Sequence, residues 1–340
     1  MGWFRFLLLP LVTLAPAAAQ VDVVTANYDK DRTNANLHET ILNVSNVNVA
    51  RFGKVFSLPV DGFIYAQPLY VRNLTIPGKG VHNVVFVATM HNTVYAFDAD
   101  APQAPLWTVT LGPPVPSSDY ELEDIVPEVG ILSTPVIDLD SGTIYVVANN
   151  IENGLYFFRL HALDITTGEE MFGGPADISA SVPGQGQGNQ DGMVSFVTFD
   201  HLQRPGLLLL NNVVYASFGS HQDRPPYHGW LIGYDARNLQ RQAAVFNVTP
   251  DGEEGSIWQS GRAPAADNFG NIYITTADGD HNGAANWGES ILRLGAAGGL
   301  TVADWFTPDN WMDLNLHDDD LGSCGPVLIP GTDLLVSGSK

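Results

Sequence analysis

The stretch Ala162-Leu163-Asp164-Ile165-Thr166-Thr167-Gly168-Glu169-Glu170-Met171-Phe172 decides how this chain is read. Its apolar opening ends on Asp164, a carboxylate suited to cap a tight turn. Thr167-Gly168 closes that turn, because glycine takes the positive φ that other residues resist. Phe172 then offers a large aromatic face to a neighbouring element. The residues just before, Arg159 to Asp164, alternate in the manner of a strand. The stretch is thus a strand, a turn and an aromatic at the start of a further strand.

The same sequence of events recurs along the chain. Pro68, Pro135, Pro205, Pro264 and Pro326 recur at intervals of about sixty to seventy residues, a structural-repeat period. After each of the first four comes a β-branched and aromatic run, Val84–Ala88, Thr143–Val147, Val213–Ser217 and Asn271–Thr275. A further run follows, at Thr93–Asp98, Arg159–Asp164, Trp230–Asp235 and Ser290–Leu294. An aromatic closes each unit: Trp107, Phe172, Phe246, and Trp305-Phe306. Four short strands per unit predict an all-β chain, a β-propeller of four-stranded antiparallel blades. Pro326 opens a fifth unit that reaches Lys340 inside or just after its second strand. We expect about four and a half blades, part of an eight-bladed ring, with the series incomplete at its C-terminal end.

Composition narrows the function. The chain has 340 residues with 37 acidic against 15 basic side chains, a net charge of −22. Such a surface repels phosphate backbones and anionic lipid, which excludes nucleic acid and polybasic membrane docking. One cysteine forbids an intrachain disulfide. Residues 1–19 carry Arg5, an apolar run and Ala17-Ala18-Ala19, the pattern of a signal peptide. Residues 20–66 read as a lead-in and 67–340 as blades. No later stretch is apolar over a spanning length, so the expected location is periplasmic or extracellular.

The quoted stretch resembles the A-x-D-x-x-T-G-x-x-x-W repeat of the pyrroloquinoline-quinone (PQQ) quinoproteins, with Phe172 in place of the tryptophan. The segments Asn27-Tyr28-Asp29 and Asn48 to Phe56 are similar to the start of such proteins. Among them the chain resembles the exported PQQ-like repeat propellers more than the alcohol dehydrogenases. The resemblance implies a propeller of the quinoprotein type. In its dehydrogenases PQQ and Ca²⁺ sit at the centre of the ring, held by a Glu and an Asn, with an Asp as base. Matched by position, the resemblance implies Glu152 and Asp278 as calcium ligands and Asp318 as the base. Trp258 is the nearest residue to the tryptophan under the cofactor, several positions early. The vicinal cysteine pair of the alcohol enzymes has no counterpart in residues 113–130. A catalytically degenerate binding or scaffold module is therefore the expected function. Its partner is a protein, a glycan or a small alcohol at the rim. The alternative is a PQQ- and calcium-dependent oxidoreductase acting on an alcohol or sugar.

Residues 278–289 also fit D-x-[DN]-x-[DN]-G-x5-E without a gap. This is the spacing of a calcium loop, with Asp278, Asp280, Asn282, Ala284 and Glu289 at the ligand positions. The flanking runs read as strands, so the loop is expected in a hairpin. There it is a local Ca²⁺ site, a part of the cofactor calcium through Asp278, or a plain turn.

Overall fold

The computed structural model describes residues 21–340, so the signal sequence expected at residues 1–19 lies outside the described residues. Four antiparallel sheets follow one another, each a meander in which chain neighbours pair. The first blade is Leu69–Ile76, Gly80–Ala88, Thr93–Asp98 and Trp107–Thr110. The second is Val136–Asp138, Thr143–Glu152, Leu155–Asp164 and Ala176–Asp177. The third splits its inner strand into His201–Leu202 and Leu208–Leu210, then runs Val213–Ser220, Trp230–Asp235 and Asn238–Asn247. The fourth is Ala265–Ala266, Asn271–Thr275, Ile291–Gly295 and Thr301–Phe306. Val327–Leu328 pairs with Leu335–Val336 and begins a fifth.

Period-two alternation explains why the blades stack. Ile144, Val146 and Ala148 face one way, into a core shared with Val84, Phe86 and Val94 of the first blade. Tyr145 and Val147 face the other way, into a core shared with Val214, Ala216 and Phe218 of the third. Tyr215 and Leu231 in turn meet Ile272, Ile274 and Leu292 of the fourth. The second and third sheets thus bury both faces, and each buried face needs a neighbour.

The repeat turn shows its purpose in packing. Asp164 Oδ1 accepts from the Thr166 N–H and hydroxyl, both at 2.6 Å. Gly168 sits at φ +76°, and a Cβ there would lie 2.8 Å from the Trp107 ring. Trp107 Nε1 donates to the Ile165 carbonyl at 2.9 Å. The first blade's aromatic therefore docks on the second blade's turn. Phe172 repeats this one blade later, where Leu239 N–H donates to its carbonyl and Arg237 lies over its ring. One expectation is corrected here. Phe172 does not start the second blade's outer strand: it turns at φ +51°, and that strand comes later, at Ala176–Asp177.

The lead-in crosses the inner strands of several blades. Val23 pairs with Tyr70, and the Val24 carbonyl accepts from Ile137. Lys30 and Asp31 carbonyls accept from Ala266 and Leu328. Arg32 is fully buried there and donates to the carbonyls of Pro264 (2.9 Å) and Ala26 (2.8 Å) and to the Thr25 hydroxyl (2.8 Å).

Candidate functional site

Loops at the ends of the blades' second strands carry the chemistry. Asp223 follows Val213–Ser220, Asp278 follows Asn271–Thr275, and Glu289 precedes Ile291–Gly295. Asp318 and Asp320 follow the α-helix Trp311–His317. Carboxylate oxygens of Asp278, Glu289 and Asp320 lie within 4.8 Å of one another, as do those of Asp223, Asp278 and Asp318. Three of these five residues hold a left-handed backbone: Asp223 at φ 48°, Glu289 at 48° and Asp318 at 57°. Such conformations cost energy and persist where surrounding structure enforces them.

The centre is buried and under-satisfied. Glu289 is wholly buried and Asp278 is 7% exposed. Glu289 Oε2 accepts from the Leu321 N–H at 2.8 Å. Glu289 Oε1, Asp278 Oδ1 and Asp320 Oδ1 have no hydrogen-bond partner among the described residues. Asp223 Oδ1 accepts from the Ser220 hydroxyl at 2.6 Å. Lys340 pairs with Asp318 and, at 3.2 Å, with Asp320.

Electrostatics follow from this crowding. Burial, then the charges of Asp320, Asp223 and Glu289, push the Asp278 carboxyl up to about 8. Burial likewise pushes Glu289 up to about 7, against the lowering effect of the Leu321 N–H. Asp320 is also raised by burial, with Lys340 opposing. Repelling carboxylates with orphaned oxygens are an all-oxygen donor set, which suits a hard cation such as Ca²⁺.

The sequence-predicted residues divide. Asp278, Asp318 and Glu289 come together. Glu152 does not: it ends the second blade's second strand on the surface and is held by Arg159 at 3.0 Å. Asp223, just past the end of the corresponding strand one blade later, joins the cluster instead. Asn282 is used by the hairpin turn and Asp280 by the loop that follows the third blade. Asn282 Oδ1 accepts from Ala284, Ala285 and Asn286, and Asp280 Oδ2 from the Glu253 N–H. Ala284 lines a separate outer groove. The first and last residues of the calcium-loop pattern thus face inward, while its middle shapes the tip. Trp258 is half-buried and lines a cavity of about 190 Å³ with Asp223, Asp320 and Lys340. Asp223 and Asp320 carried no spacing signal of their own.

No protein-family model matches the sequence, and no curated protein matches it. The fold does have solved counterparts. The chain is a β-propeller of the kind found in the quinoprotein alcohol dehydrogenases. It is similar to a europium-containing methanol dehydrogenase, at 15% identity and a TM-score of 0.59 over 94% of this chain and 54% of that one. It is similar also to the quinohemoprotein alcohol dehydrogenase of Comamonas testosteroni (16%, TM-score 0.56, 86% and 42%). A third is the quinohemoprotein alcohol dehydrogenase of Pseudomonas putida HK5 (15%, TM-score 0.55, 84% and 40%). The chain spans roughly half the length of these enzymes or less, and the likeness is one of fold.

Proposed function

We propose that Asp223, Asp278, Glu289 and Asp320 hold a polyvalent cation, and that the chain serves a quinone-dependent dehydrogenase oxidising an alcohol or sugar. The observation that carries this reading is the set of three partnerless buried carboxylate oxygens on Asp278, Glu289 and Asp320. A cation supplies what they lack and cancels their repulsion. Calcium fits the donor set, and so does a trivalent ion of the kind named for the europium enzyme. Bound PQQ would supply the two-electron acceptor. Trp258 would present its indole beside that site. Asp318, paired with Lys340, is the candidate to take the substrate's hydroxyl proton. Export to the periplasm or beyond belongs to the same reading. Its support is the signal-like sequence of residues 1–19. Among the described residues no helix is long and apolar enough to cross a membrane.

Calorimetric titration with Ca²⁺ and Eu³⁺ tests the cation. Saturable binding is expected, weakened at least roughly tenfold by Asp278→Asn or Glu289→Gln, as for loss of a metal-site group. No binding of either ion would sink the proposal. Reconstitution with PQQ, followed by dye-linked alcohol oxidation, tests the chemistry. Asp318→Ala should abolish turnover and leave PQQ absorbance in place.

A second reading keeps the propeller as a binding module without turnover. It rests on the absent cysteine pair, on Glu152 being tied to Arg159, and on a cavity of about 190 Å³. Small-molecule pockets run to about 300–1,000 Å³. Cation binding without any PQQ absorbance would favour it.

A further inference from the structure

A groove walled by two tryptophans lies away from the carboxylate centre. It runs between the outer strands of the third and fourth blades and has a volume of about 520 Å³. That is the volume range of small-ligand pockets. Trp305 forms one wall and is 49% exposed. Trp287, 5% exposed, stands edge-on behind it, ring centroids 5.0 Å apart at 61°. Val302, on the same strand as Trp305, and Phe246 of the third blade continue the apolar wall.

The groove's chemistry selects its ligand. No residue lining it is charged, in a chain of net charge −22. An ionic ligand finds no counter-charge there, so the occupant is neutral. A purely apolar occupant is also a poor match, because Asn247, Thr301 and the backbone of Gly283–Ala285 form part of the lining. Asn247 is 5% exposed and spends its Oδ1 on the Thr249 N–H at 2.9 Å. Its Nδ2 has no acceptor among the described residues. A half-exposed indole beside amide and hydroxyl groups matches a pyranose ring. The sugar's C–H face is apolar and faintly positive and lies on the electron-rich indole, while its hydroxyls need donors and acceptors at the edge.

We propose that this groove binds neutral saccharide, as a site separate from the cation centre and independent of it. Indole fluorescence titrated with maltotriose, cellotriose and laminaritriose tests it. At least one trisaccharide is expected to give a saturable shift. Trp305→Ala should weaken binding at least roughly tenfold, the cost of losing an aromatic anchor, while Trp305→Phe retains part of it. Asp278→Asn should leave binding unchanged. Circular dichroism on each variant separates loss of contact from loss of fold. The proposal is overturned if none of the three sugars binds. It is also overturned if a folded Trp305→Ala binds as well as the unaltered protein, or if a proline-rich peptide occupies the groove where sugars do not.

Discussion

Asp278 and Glu289 set the pH behaviour of the cation-free protein. Their folded values, about 8 and about 7, lie above the ordinary 3.8 and 4.5. Between those limits the folded state holds protons that the unfolded chain has released. Stability therefore falls as pH rises through this window, by up to about 1.4 kcal/mol per pH unit for each group. Chelator-treated protein should show a melting temperature that drops from pH 5 towards pH 8, and Asp278→Asn should flatten the decline. A saturating cation should flatten it too, adding about 2.7 kcal/mol at a hundredfold excess over Kd. A melting temperature that rises over that range in the cation-free protein would contradict the buried-carboxylate picture. This centre was half legible in the sequence. Glu152 and Asp223 lie at or just past the ends of matching strands one blade apart, and only Asp223 joins the cluster, since strand ends recur and only their spatial convergence tells them apart. Glu289 was read as closing a local loop, whereas its carboxylate meets Asp320, thirty-one residues further on.

The element that organises the fold is the joint between blades. Strand runs were readable because β-branched and aromatic residues mark them and Gly, Asn and Asp bound them. The outer strand of the second blade was misplaced because Phe172 looked like a strand opener, and its left-handed turn is fixed by the third blade rather than by its own neighbours. The helix Trp311–His317 was not anticipated. The joint itself yields a prediction. Gly168→Ala sets a methyl against the Trp107 ring and forces an unfavourable φ, which should cost about 1–3 kcal/mol. Urea unfolding would show it as a lower midpoint. Unchanged stability would mean that the Trp107 contact carries little of the blade-to-blade packing.

Across the whole molecule, the lead-in ties together the first, second, fourth and fifth blades. Arg32→Met keeps the volume and removes every hydrogen bond the guanidinium donates. Buried carbonyls of Pro264 and Ala26 would be stranded, at a cost of about 2–4 kcal/mol. Denaturation followed separately by indole fluorescence and by circular dichroism should show the variant unfolding earlier by both probes. The open succession of blades was visible in the prolines, but nothing in the local pattern of residues 20–66 announced this cross-tie, because its partners lie up to 232 positions away.

That separation turns a static contact into a matter of timing. A ribosome adds about 5–20 residues each second, so Arg32 emerges roughly ten to fifty seconds before Pro264 exists to receive it. For that interval the early blades stand without their clasp, exposed to proteases and to sticking. A secretion route that carries the chain unfolded until synthesis is finished would spare it that vulnerable wait.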